Sequence, residues 1–437
     1  MSIPVVTVGQ AQEDLVGGLE RLHGPVTVVR RCTELTELLA ACQSGLARAA
    51  VVAKGSEELT ASLVDRLAAV GVAIVALTDS EEESSRLRGI GASAVISTVE
   101  SAALAECISE AVAQFPGRVN AAMATGEQSL AEAGAVLRPG TDDAGNPPAA
   151  PGTGQIIAVW GPAGSPGRTL LAVNIAGELA AEGKSVLLID ADSYGASVGA
   201  VLGLLDEAAG LAQACRLADQ GLLDTASLLR VAVPVSMKSG SLRVLTGITR
   251  ADRWTELRAT ALARVLERAK DIADVVVVDT GFCLEADEEL SFDTMAPRRN
   301  AATLRSLELA DTVFAVGSAD SIGVPRLVRG LAELDTAVPG LRPEVVMNKV
   351  RAAAVGRSPE RQLREAWDRF GPATGIKAFL PSDPGAADTA LLSGSLLLEA
   401  APDSPLRSGI AGLVCAPGQQ NRRSSVFSST TKRWLRG

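Results

Sequence analysis

The sequence predicts an α/β protein with two parallel-sheet units, the second of them doubly wound. Short apolar strands alternate with amphipathic helices over residues 3–114 and again from residue 155 onward, a pattern typical of a parallel sheet covered by helices on both faces. A stretch rich in Gly, Ala and Pro, residues 116–154, separates the two patterns and predicts a flexible linker. We therefore expect domains at 1–115 and 155–418, with a basic tail at 419–437.

Composition excludes several classes of protein. The chain has 437 residues, of which 47% are hydrophobic and 21% charged, and this balance is typical of a globular protein. A net charge of −10 argues against a general nucleic-acid coat. The single histidine, His23, excludes histidine-based triads and HExxH metal sites. Six cysteines without a CxxC pair predict reduced thiols in a cytoplasmic protein.

No signal peptide or membrane span is expected. The first residues lack a basic segment followed by a long apolar run. No segment offers the ~18 uninterrupted apolar residues that a span requires. We predict a cytoplasmic protein that is at most peripheral at the inner face of the cell membrane.

The first unit is predicted to contain five strand–helix repeats. Strands are expected at 3–8, 26–29, 49–53, 72–77 and 94–96, and helices at 34–42, 57–69, 81–88 and 102–114. This arrangement resembles the receiver domain of two-component systems. Ala53 and Lys54 stand where a receiver carries its phosphate-accepting acid, and Ser97 replaces the usual lysine, although Thr78 fits the pattern. The resemblance implies a degenerate receiver-like domain that is not phosphorylated and serves docking or dimerisation.

The second unit begins with a strand, a glycine-rich loop and a helix. Its strands are expected at 156–160, 185–189, 242–245, 275–278, 312–316, 344–347 and 376–380. The first strand is followed by GPAGSPGRT and a long helix, and such a turn presents backbone N–H groups that hold phosphate oxygens. Against the P-loop pattern GxxxxGK[ST], Arg168 replaces the lysine, Thr169 supplies the hydroxyl and Pro162 replaces the first glycine. Taken alone, the segment also fits an ordinary Gly/Pro-rich turn.

Carboxylates at the ends of two later strands favour the phosphate-loop interpretation. Asp190 and Asp192 follow SVLLI, and Asp279 ends DVVVVD before Gly281. In a doubly wound sheet, these strand ends lie beside the phosphate loop, where ligands bind. An apolar strand that carries a carboxylate toward Mg²⁺ is typical of phosphoryl-transfer sites.

Over residues 155–415, the chain resembles MinD/ParA-type P-loop ATPases. The phosphate loop, LLIDAD, VVVVDTG and VVMNKV occur in the family's order. The resemblance implies a homodimer that binds ATP and Mg²⁺. It implies that Asp192 positions the attacking water, that Arg168 contacts the β and γ phosphates, and that Asn348 contacts adenine; Asn174 also matches. The implied metal residues are Thr169, Asp190 and Asp279, and the implied nucleotide-binding residues are Gly164, Ser165, Gly167, Arg168, Thr169 and Asn348.

Finer motifs point to particular branches of that family. A receiver-like domain ahead of such an ATPase resembles the CpaE/TadZ branch, which positions Tad-type pili. LTGITRADRW and APRRN resemble the actinobacterial septum-site-determining branch. We expect a MinD-like regulator of septum placement with weak ATP hydrolysis and protein partners in the division or pilus machinery. Pilus positioning and a non-hydrolysing scaffold are alternatives. The acidic charge and Ala163 disfavour a ParA-like DNA-partitioning ATPase.

Departures from the family pattern predict slow hydrolysis. Ala163 occupies the place of the signature lysine, and Leu170 follows Thr169 where many members have a second threonine. Arginine at position 168 keeps the charge but is not equivalent to lysine. Arg298 and Arg299 either supply replacement charge or form a solvated basic turn.

Residues 421–437 carry five cations and no acid. A helix beginning near Ser424 would place Phe427 and Trp434 on one face, an arrangement that fits a membrane-surface anchor. A disordered basic tail is the alternative.

Overall fold

The computed structural model describes residues 2–9, 13–22, 24–53, 55–114, 154–204, 208–237, 240–286 and 297–415. The chain divides into two compact units. The first comprises Met1–Asn146 with Arg216–Leu223, and the second comprises Pro147–Cys215 with Asp224–Gly437. The predicted linker and the basic tail lie outside the described residues, apart from Gly154. No helix in the described ranges is long and apolar enough to cross a membrane.

The described part of the first unit forms a parallel five-stranded sheet in the order β2-β1-β3-β4-β5. This is the flavodoxin-like doubly wound order. The strands are β1 Ile3–Val8, β2 Val26–Cys32, β3 Ala49–Val52, β4 Ala73–Leu77 and β5 Ser93–Val95. The helices are α1 Glu13–Arg21, α2 Leu35–Gln43, α3 Ala61–Ala69, α4 Glu81–Gly89 and α5 Ser101–Ala113, and a 3-10 turn spans Ser56–Glu58.

Alternating burial explains this sheet. Val5 and Val6, adjacent on β1, enter two different buried clusters on opposite faces. Two of the helices, α3 and α4, begin at capped positions: the Thr60 side chain accepts the Leu63 N–H, and the Ser80 side chain accepts that of Glu83. All five predicted strands are present, but α1 was not predicted, and the helix expected at 57–69 begins only at Ala61.

Ala53 follows β3, and Ser97 donates its N–H and its hydroxyl to one oxygen of Asp79. Lys54 lies outside the described residues. The described residues therefore place a serine–aspartate pair at this edge of the first sheet, and the receiver-like role remains a prediction.

The second unit's described residues form an eight-stranded sheet in the order β13-β12-β11-β6-β10-β7-β9-β8, parallel except for the β8–β9 pair. The strands are β6 Gln155–Trp160, β7 Ser185–Ala191, β8 Val233–Val235, β9 Ser241–Leu245, β10 Val275–Thr280, β11 Thr312–Ser318, β12 Glu344–Val350 and β13 Ile376–Pro381. The helices are α6 Arg168–Ala181, α7 Val198–Val201, α8 Gly210–Asp219, α9 Thr225–Val231, α10 Ala259–Ala269, α11 Ala301–Leu309, α12 Gly323–Ala337, α13 Ala352–Val355, α14 Pro359–Phe370, α15 Pro384–Ser393, α16 Leu397–Ala400 and α17 Pro405–Val414; a 3-10 turn spans Ala251–Glu256. The end of α8, from Arg216, is grouped with the first unit.

The central strands of the second sheet are buried on both faces. Val159 belongs to the cluster under α6, whereas Ala158 and Trp160 belong to the cluster on the other face. The parallel register of β10 with β7 places Asp279 directly beside Asp190. The sheet itself therefore brings together two of the carboxylates predicted for the site.

Candidate functional site

The loop between β6 and α6 has the backbone of an anion cradle. Gly164 and Gly167 adopt φ of +110° and +99°, and Ser165 adopts +53°. Residues other than glycine rarely adopt positive φ. A Cβ at Gly167 would lie 2.4 Å from the Asn348 amide nitrogen. Gly167 precedes α6 without a side-chain cap, so the first N–H groups of the helix are available to an anion.

Thr169 and Asp279 meet at the base of this loop. The Thr169 hydroxyl donates to Asp279 Oδ2 at 2.6 Å. Asp279 is 1% exposed, and its other oxygen is buried without a hydrogen-bond partner. Burial, and then the neighbouring charge of Asp190, raises the pKa of Asp279 well above its ordinary value. An ionised carboxylate is costly here without a further positive partner.

These residues fit a Mg²⁺ ion held together with phosphate. The described residues contain no group of three acidic, histidine or cysteine side chains arranged to ligate a metal by themselves. Mg²⁺ is usually bound by one or two protein oxygens, with phosphates and waters completing the octahedron. The Thr169 hydroxyl and the unpartnered oxygen of Asp279 are of this kind, and the bound cation would neutralise the buried charge.

The Asp190 carboxylate accepts hydrogen bonds from two backbone N–H groups of the segment that follows β7. One oxygen accepts the Asp192 N–H at 3.3 Å, and the other accepts the Val198 N–H at 2.9 Å. Burial raises its pKa to about 7, and the two backbone hydrogen bonds lower it in part. The metal role predicted for Asp190 thus competes with its function of holding the segment after β7 against the sheet.

Arg168 and Asp192 are paired with each other. Arg168 Nη2 lies 3.2 Å from Asp192 Oδ2, and Nη1 donates to the Gly161 carbonyl at 3.0 Å. The other oxygen of Asp192 accepts the N–H groups of Tyr194 and Gly195. The residues predicted to contact phosphate and water, Arg168 and Asp192, thus already bind each other, while Arg168 Nε is buried without a hydrogen-bond partner.

Asn348 and its neighbour support the loop from β12. The Asn348 amide donates to the Pro166 carbonyl at 2.8 Å, and Lys349 Nζ donates to the Ser165 carbonyl at 2.7 Å. The predicted adenine contact of Asn348 would use an amide that already has this partner. Asn174 instead joins α6 to the start of α16, because its side-chain oxygen accepts the Leu397 N–H at 2.7 Å.

Several residues of the site were not predicted from the sequence. Tyr194, the only tyrosine in the chain, stacks under the Arg299 guanidinium at 4.0 Å and donates to Asn300 at 2.8 Å. Arg299 is therefore packed on the segment after Asp192 and is not simply solvated. Lys349 was also missed; its positive φ of 59° marks it in the structure but not in the sequence.

No family model and no curated protein matches the chain. Among solved structures, the chain is similar to a ParA family ATPase from Chlorobium tepidum, with 19% identity over 60% of this chain and 98% of that chain and a TM-score of 0.50. It is also similar to the cell division ATPase MinD from Pyrococcus furiosus, with 19% identity over 60% of this chain and 97% of that chain and a TM-score of 0.46.

A third similar structure is the septum site-determining protein MinD with Mg-ADP from Pyrococcus horikoshii, with 17% identity over 60% of this chain and 94% of that chain and a TM-score of 0.45. The likeness to the ParA family structure shows the fold. The prediction of a MinD/ParA-type P-loop fold is confirmed, and the loop geometry above defines the class as a P-loop α/β protein.

Proposed function

We propose that the protein is a Mg²⁺-dependent ATP-binding switch of the MinD type that regulates septum placement and hydrolyses ATP slowly. The observation that carries this proposal is the Thr169–Asp279 pair at the start of α6. A hydroxyl at 2.6 Å from a buried carboxylate with one unpartnered oxygen is suited to a hydrated divalent cation beside a phosphate loop.

Slow turnover follows from the charges of the loop. Position 163 carries alanine, and the Arg168 guanidinium is engaged with Asp192 and with loop carbonyls. Phosphoryl transfer depends on cations placed at the transferring group, and one such arginine is worth ~10³–10⁵ in rate elsewhere. We therefore propose that ATP acts chiefly as a binding signal that joins two copies of the chain, and that hydrolysis releases them.

Septum placement rests on the motifs LTGITRADRW and APRRN, since they resemble the septum-site-determining branch. Tad-type pilus positioning is the alternative, because the doubly wound first unit precedes the P-loop unit as in the CpaE/TadZ branch. Both functions use a nucleotide-controlled dimer with protein partners. A non-hydrolysing scaffold differs from both in not requiring Mg²⁺ and ATP.

Titration calorimetry of the full chain with MgATP tests the proposal. Thr169→Val removes the hydroxyl while keeping the side-chain shape, and we expect it to weaken MgATP binding at least about tenfold, as loss of a bond to a charged group does. Thr336→Val, an exposed threonine on α12, is the matched control and should bind like the unaltered chain. Failure of the unaltered chain to bind MgATP would favour the scaffold.

Restoring lysine tests the account of slow hydrolysis. We expect the double change Ala163→Lys and Arg168→Lys to raise MgATP turnover, because it adds a cation and frees Asp192 from the guanidinium fork. Phosphate release is the measurement, and each single variant serves as a control. Unchanged turnover in a double variant that still binds ATP would contradict this account.

For the first unit we propose a receiver-like fold that accepts no phosphate. Its support is Ala53 after β3 and the Ser97–Asp79 pair. Incubation with acetyl phosphate should leave the mass unchanged. A stable adduct on an aspartate of residues 1–115 would overturn the proposal.

A further inference from the structure

A cleft of about 180 Å³ lies on the phosphate loop in the second unit. One wall is the loop itself, and the other is the turn from β11 into α12. Its lining includes Pro162, Ala163, Gly164, Ser318, Asp320 and Arg326. The cleft thus borders the position at which the loop carries alanine in place of a cation.

Arg326 lies directly on the loop. It is an exposed residue in the first turn of α12, and its Nη1 would be 2.4 Å from a Cβ placed on Gly164. Only glycine at position 164 allows the guanidinium this close to the loop backbone. The absence of a side chain therefore admits a cation carried by a different element.

No side chain in the described ranges neutralises this cation, since the guanidinium of Arg326 has no hydrogen-bond or ion-pair partner there. The nearby Asp320 carboxylate already has hydrogen-bond partners. One oxygen accepts the Ser318 hydroxyl at 2.6 Å, and the other accepts the N–H groups of Gly323 at 2.7 Å and Ile322 at 3.0 Å. These hydrogen bonds lower the pKa of Asp320. Asp320 therefore holds the turn that leads into α12, while the guanidinium of Arg326 remains available.

The other cations at the loop are already engaged. Arg168 is paired with Asp192, and Lys349 Nζ donates to the Ser165 carbonyl. Arg326 alone, within the part of the chain that the structure describes, combines contact with the loop and a free set of donors. A guanidinium presents its donors in a fork that matches phosphate oxygens.

We propose that Arg326 is a phosphate-binding residue that contacts the terminal phosphate of a nucleoside triphosphate held by the loop of the same chain. This inference rests on the proposed function, and it supplies from α12 the cation that position 163 lacks. The contact favours a triphosphate over a diphosphate, because it is made to the phosphate that hydrolysis removes. Arg326 thereby makes the nucleotide site bind the unhydrolysed triphosphate more tightly than the diphosphate product.

The test compares two nucleotides in the full chain with Mg²⁺. Calorimetry measures the dissociation constants of the β,γ-imido analogue of ATP and of ADP for Arg326→Ala, Arg326→Lys and the control Arg329→Ala. Arg329 is exposed three residues further along the same helix. We expect Arg326→Ala to weaken the triphosphate analogue about tenfold or more and ADP less than about twofold. Arg326→Lys should recover part of the loss, and Arg329→Ala should change neither constant.

The outcomes separate this inference from the proposed function. If the unaltered chain binds neither nucleotide, the proposed function fails and the inference falls with it. If the unaltered chain binds the triphosphate and Arg326→Ala binds it equally well, only the inference is overturned. If Arg326→Ala weakens the binding of both nucleotides equally, the inference is also overturned. Such a result would mean that Arg326 attracts phosphate in general and does not contact the terminal phosphate. A tryptophan-emission melting curve verifies that each variant is folded.

Discussion

Asp190 and Asp279 lie side by side on neighbouring strands, each 1% exposed. Burial raises the pKa of both, that of Asp190 to about 7. Two adjacent buried carboxylates oppose each other's ionisation. This arrangement is unfavourable for folding at neutral pH unless a divalent cation compensates the charge.

The raised pKa of Asp190 makes the stability of the fold depend on pH. Between about pH 5 and pH 7 the folded chain keeps a proton on Asp190 that the unfolded chain has lost, so the free energy of unfolding falls as pH rises. Asp190 contributes about 2 kcal/mol to this fall, and Asp279, whose pKa is also raised, adds to it. Carboxylates whose pKa is lowered, such as Asp224 and Asp320, make the free energy of unfolding rise with pH. They do so near and below the ordinary carboxylate pKa of about 4, and therefore below the range from pH 5 to pH 7. Urea unfolding in the presence of a chelator, followed by tryptophan emission, measures the effect.

Asp190→Asn should reduce this pH dependence and leave the part that Asp279 contributes, whereas the same change at the exposed Asp388 should leave the whole dependence intact. A slope that is equal in Asp190→Asn and the unaltered chain would contradict the assignment to Asp190. Tryptophan emission reports the second unit, because the three described tryptophans, Trp160, Trp254 and Trp367, belong to it. The fourth tryptophan of the chain, at position 434, lies outside the described residues.

Some residues of the site could be predicted from the sequence and others could not. Thr169 and Asp279 follow from their places after a glycine-rich turn and at the end of an apolar strand, and the structure brings them into contact. Arg326 and Lys349 approach the loop from α12 and β12, far along the chain. No local pattern marks such residues, because their proximity depends on strand order.

At the scale of elements, α6 is fixed by a buried ion pair. Glu178 is 1% exposed and receives two bonds from Arg407 of α17, at 2.6 and 2.9 Å. The Glu178 carboxylate raises the pKa of Arg407. A helix that begins at the phosphate loop is thereby tied to the last described helix of the chain.

Loss of the Arg407–Glu178 pair should destabilise the fold. Arg407→Ala leaves the Glu178 carboxylate buried and unpaired, and we expect it to lower the free energy of unfolding by about 3 kcal/mol. The matched control is Arg361→Ala, whose partner Glu365 lies at 3.6 Å with side chains 73% and 67% exposed; it should cost less than about 0.5 kcal/mol. Urea midpoints from tryptophan emission provide the comparison, and equal losses would show that burial does not matter here.

Elements were predictable where one physical signal dominated. The seven predicted strands of the second sheet are apolar runs, and each is found within a few residues of its expected ends. β8 was missed because Val233–Val235 has only three residues around a proline and pairs antiparallel at the sheet edge. α1 was missed because its sequence, EDLVGGLER, contains two adjacent glycines, which are poor helix formers.

At the scale of the whole molecule, two doubly wound units share one chain. The first carries no aromatic ring among its described strands and helices, and the second carries the phosphate loop and the buried carboxylates. The sequence predicted both units because α/β alternation is a repeated local pattern. The grouping of Arg216–Leu223 with the first unit was not predicted, because it depends on contacts between segments far apart in sequence.

The last prediction concerns the chain beyond Gly418. Residues 419–437 contain Arg422, Arg423, Lys432, Arg433 and Arg436, no acid, and the apolar residues Phe427, Trp434 and Leu435 among them. Each cation near an anionic leaflet contributes ~1 kcal/mol, and two tails on one dimer act together with raised effective concentration. We therefore expect the full chain to sediment with anionic liposomes, more strongly with MgATP than with MgADP.

A chain ending at Gly418 is the matched control and should remain in the supernatant, as should the full chain mixed with neutral liposomes. Equal sedimentation of the two chains would exclude the tail as an anchor, and sedimentation independent of nucleotide would exclude its coupling to an ATP-bound dimer.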